Sequence, residues 1–190
     1  MAGSNFIMTK KTLIINGSPR IDGDTATLIN ELKSQLDGEI LEISAYRSNI
    51  APCVDCRKCW DTSKCAVRDD MDLIYADDFD QVVLASPVYY ADLPGPVLSL
   101  MSRFQNLHSA IVEGKPLGIR PKKAGLILTA GGNGNEAYAQ PHIFILFRML
   151  NAKGFEDHTV KSVKTDTIPA AEDAKALADV EKLAQWLNEA

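Results

Sequence analysis

The chain has 190 residues, 46% of them hydrophobic and 24% charged, with a net charge of −5 and a pI near 5.2. That is the composition of an ordinary globular protein, long enough to bury a core without disulfides, and its acidity argues against nucleic acid as a partner. No stretch approaches the ~18 continuous apolar residues of a membrane span, and no apolar run follows a basic start, so the expected compartment is the cytoplasm.

Residues 1–7 are small and polar ahead of Met8 and are expected to be an extension or appended remnant outside the fold. Thr12 to Asn16 is a short apolar run ending at Gly17, which predicts a buried strand. Ala26, Leu28, Ile29, Leu32 and Leu36 then recur at helical spacing until Gly38. Glu39 to Ile43 reads as a second strand, and a cysteine-bearing loop over residues 52–69 follows without periodicity. Asp69 and Asp70 read as caps of a helix carrying Leu73, Ile74 and Phe79, with the acidic residues to Asp80 on a solvated face. Gln81 to Ala85 is apolar at successive positions, as in a strand covered on both faces.

Pro94 to Leu107 contains a helix, and His108 to Pro121 is a connection of undefined structure. Lys123 to Thr129 reads as strand four, Glu136 to Leu150 as an apolar helix, Phe155 to Val163 as strand five and Ala170 to Asn188 as an amphipathic closing helix. Strands alternating with helices predict an α/β fold, a five-stranded parallel sheet with helices on both faces, formed by residues 8–190 as a single domain.

In such sheets ligands bind beyond the carboxyl ends of the strands, where strand order reverses. Three loops there are unusual. Gly17-Ser-Pro-Arg-Ile-Asp-Gly-Asp-Thr25 opens into a helix, so Ser18, Arg20, Thr25 and a helix N-terminus can converge on an anion. It has neither the Gly-Lys-Ser/Thr of a P-loop nor Gly-x-Gly-x-x-Gly. Ser86-Pro-Val-Tyr-Tyr-Ala-Asp-Leu-Pro-Gly95 offers a stiff turn and two aromatic faces for a planar ring. Thr129-Ala-Gly-Gly-Asn-Gly-Asn-Glu136 gives backbone donors close access to a ligand.

These segments resemble the NADPH-dependent FMN reductases of flavodoxin-like fold, and most nearly their cysteine-bearing iron–sulfur flavoprotein branch. The resemblance rests on Gly17-Ser-Pro-Arg20, Asp69-Asp-Met71, Ala85-Ser-Pro-Val-Tyr89 and Leu93-Pro-Gly95. It implies an FMN phosphate held by Ser18, Pro19, Arg20 and the Asp24-Thr25-Ala26 turn. It implies an isoalloxazine ring against Pro87, Val88, Tyr89 and Tyr90, edged by Thr129, Ala130, Gly131, Gly132 and Asn133. The chain departs from the family at Asp24, usually asparagine, whose carboxylate must turn away from a phosphate or serve as a cap. It departs again at Tyr90-Ala91, where Trp-Gly or Tyr-Gly is frequent.

All four cysteines lie at Cys53-x-x-Cys56-x-x-Cys59 and Cys65. The first three suit a four-iron cluster, and the fourth completes a set that looks like the iron–sulfur flavoprotein pattern. Zinc on four thiolates, and metal-free thiols beside a flavin, are the alternatives.

The expected activity is electron transfer from NAD(P)H through FMN to a flavin, quinone, other small molecule or protein acceptor. Such chemistry requires no catalytic acid, base or nucleophile from the protein. Two further readings stay open: a carrier reduced by ferredoxin, and a metal-stabilised binding module without catalysis. A homodimer or higher homo-oligomer is expected by analogy. His108, His142 and His158 lie outside the three loops and read as structural or surface residues.

Overall fold

The computed structural model describes residues 9–116 and 118–189; the expected extension at residues 1–7 lies outside them. Along the chain run β1 (Lys11–Asn16), α1 (Asp24–Gln35), β2 (Glu39–Ser44), α2 (Lys58–Thr62), α3 (Met71–Tyr75) and β3 (Gln81–Pro87). There follow α4 (Gly95–Ser102), α5 (Gln105–Val112), β4 (Lys122–Ala130), α6 (Ala139–Met149), β5 (Ala152–Lys153), β6 (Thr159–Val163) and α7 (Ala174–Asn188). The sheet order is β2-β1-β3-β4, with β5 and β6 both paired to β4, and every pairing is parallel. With β5 and β6 sharing the fifth place, this is the 2-1-3-4-5 order of the flavodoxin-like fold, and its switch point lies between β1 and β3.

The period of two along each strand divides the core between the two faces of the sheet. Ile14, Val83, Ile127 and Val160 pack on Leu28, Ile29 and Leu32 of α1 and on Val180, Leu183 and Leu187 of α7. Leu13, Ile15, Val82, Leu84, Leu126 and Leu128 face Met71, Leu100, Ile143 and Phe147 on the other side. Each such buried side chain contributes about 1.5–3 kcal/mol. The register sets Asn16 beside Ser44 and Ala85, Pro87 beside Thr129 and Ala130 beside Val163, so the carboxyl ends form one edge.

The structure corrects the expected elements in four places. The fifth strand is broken, because Phe155 leaves the sheet to stack on Phe147 (ring centroids 4.8 Å apart) and Gly154 turns the backbone at φ +99°. The helix expected within residues 94–107 divides around Arg103 and Phe104, whose N–H groups bond three residues back, to Leu100 and Met101. Its second half continues to Val112, into the connection expected to lack structure. Phe79 is buried beyond the end of α3, not on it, and Leu73 on α3 is exposed. The cysteine segment carries a short helix, α2, flanked by Arg57 and Ser63 in the left-handed region.

Candidate functional site

The three loops meet at the carboxyl edge of the sheet and are tied to one another. Gly17 N–H donates to Ala85 O at 2.7 Å, Val88 N–H to Thr129 O at 2.8 Å, and the Thr25 and Thr129 hydroxyls, both buried, stand 2.7 Å apart. Gly17 is required for this closeness, since a Cβ there would lie 2.6 Å from Ser86 Oγ and 2.7 Å from Val97 Cγ2.

In the first loop Asn16 Oδ1 accepts from Ser18 N–H at 2.8 Å, and the buried Ser18 hydroxyl bonds the Arg20 backbone. The N-cap of α1 is Gly23, which provides no side-chain acceptor, so the amides of the first turn keep no side-chain cap. Both carboxylate oxygens of Asp24 are engaged: Oδ1 accepts from Ala170 N–H at 3.0 Å and Oδ2 pairs with Arg20 at 3.0 Å. Ala26 is buried in the first helical turn. Arg47, just beyond β2, reaches the Ser18 and Pro19 carbonyls at 3.4 Å and adds a second guanidinium here. Sequence reasoning passed over Arg47, although its place after a strand's carboxyl end was a signal.

In the second loop Pro87 ends β3, and Tyr89 and Asp92 close a two-residue turn by exchanging backbone hydrogen bonds of 2.9 and 3.0 Å. Its central residues, Tyr90 and Ala91, have φ of 53° and 65°, a conformation costing each non-glycine residue about 1–2 kcal/mol. The turn is held from behind, where Ala91 O accepts from Tyr138 and Ala139 at the start of α6 and Asp92 Oδ1 meets His142 Nδ1 at 2.9 Å. Tyr89 is partly exposed, and the Tyr90 side chain stands fully in solvent. In the third loop Ala130 O and Gly132 O accept from Thr165 and Lys164, and Gly131 rests against the Asp166 carboxylate, while Asn133 is exposed.

The four cysteines are also brought together. All four cysteines line one small cavity together with Trp60, Arg103 and Asn106. Cys53 and Cys56 are exposed, whereas Cys59 and Cys65 are half-buried. Among the described residues no three His, Cys, Asp or Glu side chains converge on a point that would hold one metal ion. A cleft of about 570 Å³ adjoins this cavity through Cys65 and Asn106 and also takes in Lys64, Arg68 and Tyr75.

Arg103 fastens the segment to the fold. Its side chain has no exposure, and it donates to Asp69 at 2.6 Å, Ala51 O at 2.9 Å, Val67 O at 3.1 Å and Cys65 Sγ at 3.4 Å. Its Nε–H is buried and has no partner among the described residues. Asp69 is thus a buried ion-pair partner as well as the acceptor of Met71 N–H, and Asp70 binds Asn49 N–H where a helix cap was expected. Burial pushes the Asp69 carboxyl up, but hydrogen bonds from Arg103, Ala51 and Met71 overcome this and hold it below the usual carboxylate range. Burial also pushes the Tyr75 phenol well up; its hydroxyl donates to Arg103 O at 2.6 Å.

A sequence model of the family described as NADPH-dependent FMN reductase matches residues 10–165. The chain belongs to that family. It is 30% identical over 173 residues to an iron–sulfur flavoprotein of Methanocaldococcus jannaschii, covering 87% of this chain and 86% of the relative. It is 28% identical over 187 residues to an iron–sulfur flavoprotein of Methanosarcina thermophila, covering 90% of this chain and 95% of the relative. In fold it is similar to an FMN-dependent NADH-azoreductase from Bacillus anthracis in complex with FMN, with a TM-score of 0.62 at 16% identity over 95% of this chain and 100% of the other. The family is one of FMN-dependent oxidoreductases, and among the described residues no helix is long and apolar enough to cross a membrane.

Proposed function

We propose that this family member binds FMN and moves electrons from NAD(P)H to a flavin, quinone or other acceptor. The observation that carries the reading is the uncapped N-terminus of α1 beside the buried Ser18 and Thr25, at the switch point between β1 and β3. Amides without a cap, a hydroxyl lining and the nearby Arg20 and Arg47 suit the FMN phosphate, with one Asp24 oxygen taken by Ala170 N–H and the other by Arg20 itself. The turn after β3 and the glycine loop after β4 would border the ring, with Pro87, Val88 and Tyr89 nearer the sheet than Tyr90. Bound FMN supplies the two-electron chemistry. The residues would supply its placement, with no side chain needed as acid or base.

The cysteine cavity favours a second centre. All four cysteines border one cavity that Arg103 also lines, and three of them are spaced two residues apart, a set that suits a four-iron cluster. The protein would then act as an iron–sulfur flavoprotein, taking electrons in pairs at the flavin and singly at the cluster.

Absorption spectra of protein purified without oxygen, with iron and zinc analysis of the same sample, test both parts. Flavin bands, near four irons per chain and bleaching by NADPH are expected. Bleaching by reduced ferredoxin alone would make the protein a carrier, and a colourless protein that takes up no added FMN would overturn the proposal.

A further inference from the structure

An arginine has five N–H donors and no acceptor, so its surroundings can be accounted for completely. In Arg103, Nη1 serves Ala51 O and Asp69, while Nη2 serves Val67 O and Cys65 Sγ. Nε–H has no partner, in a residue that is 1% exposed and lines the cysteine cavity. A buried donor left unmade costs about 1–3 kcal/mol, and burying the charge itself costs several more. A residue needed only to tie Ala51 to Val67 would incur neither cost with a neutral donor. Asp69 compensates the buried cation, and the bond from Nη2 to Cys65 Sγ brings that cation to the thiols, where it would favour added negative charge.

We infer that Arg103, held in place by Asp69, is the positioning residue that sets the electron affinity of the cysteine centre. The inference rests on the iron–sulfur reading of the four cysteines. One-electron reduction adds one negative charge to a cluster that four thiolates already make anionic. A guanidinium bonded to Cys65 Sγ, on a residue that lines the same cavity, favours that added charge. Hydrogen bonds to sulfur and local charge are established determinants of cluster potential. Asp69 acts in the opposite sense through its own negative charge while fixing the orientation of the guanidinium. The two residues form a matched pair whose removal shifts the potential in opposite directions. A merely structural pair would produce the same defect from either side.

The experiment is an anaerobic dithionite titration, followed by electron paramagnetic resonance, of iron-loaded parent, Arg103→Gln, Arg103→Lys and Asp69→Asn proteins. At fixed potential, Arg103→Gln is expected to have at least tenfold less reduced cluster than the parent, about 59 mV lower for one electron. Asp69→Asn is expected to shift the other way, and Arg103→Lys, which keeps the charge, to lie between Arg103→Gln and the parent. An iron-loaded Arg103→Gln protein titrating with the parent would overturn the inference. So would Asp69→Asn shifting downward or not at all, a result readable even if Arg103→Gln does not fold. A parent protein that holds FMN but takes up no iron and sulfide would overturn the cluster reading itself, and is recognised by its iron content before any titration.

Discussion

At Asp69 a carboxylate with 4% of its side chain exposed faces an arginine with none. Removing one partner of such a pair leaves a buried charge uncompensated, so Asp69→Asn is expected to lower stability by about 3–5 kcal/mol at neutral pH. The pH dependence follows from the depressed carboxyl. A group with a lower folded than unfolded pKa stabilises the fold above its unfolded value, near 3.9, and loses that contribution as pH falls through the folded value. Urea unfolding at a series of pH values should show parent and Asp69→Asn stabilities well apart above pH ~4 and converging below it. A gap constant with pH would refute the assignment. The pair was not legible in the sequence. Asp69-Asp-Met71 has the local form of a helix start, and it partly is one, but its counter-ion lies 34 residues on and the carbonyl sharing that counter-ion is 52 residues from it. By contrast the family resemblance marked Asp24 as a carboxylate needing a partner, and the structure gives it Ala170 N–H and Arg20.

Strands and helices with one strong period were readable, since burial on one or both faces leaves a pattern in consecutive residues. β3 is buried at every position, as its apolar run implied. The elements that differed were decided by contacts between segments. Phe155 has the residue type of a strand, yet its ring is more fully used against Phe147 than on the sheet. The division between α4 and α5 follows from the burial of Arg103 and Phe104, neither of which breaks a helix by itself. The ties between ligand loops are of the same kind. Gly17→Ala would push the first loop from Ser86 and Val97, and is expected to cost about 1–3 kcal/mol. Its effect on FMN should be separable: weaker binding in flavin-fluorescence titrations, beyond the drop in urea midpoint. Unchanged affinity would mean that the first two loops do not need this spacing to hold the cofactor.

For the whole molecule, a ligand that binds only the folded form adds about 2.7 kcal/mol of stability at a hundred times its Kd. In a chain of this length each kcal/mol raises the melting temperature by about 2–4 °C, so FMN at that excess should raise it by roughly 5–11 °C. Riboflavin at the same concentration should give a smaller shift, because it lacks the group assigned to the amides of α1. Equal shifts would move the binding energy from the first loop to the ring. At this scale the fold was almost fully readable: alternating strands and helices and one direction of crossover leave few arrangements. The fifth strand was the exception, and its break has a bearing on how the sheet's edge is protected. Past β4 the outermost backbone is two residues of β5, a five-residue detour and five residues of β6 that include Lys161, which pairs with Glu136. A foreign strand laid along this border would find no continuous ladder and would meet a lysine. The border is therefore protected against strand-by-strand polymerisation.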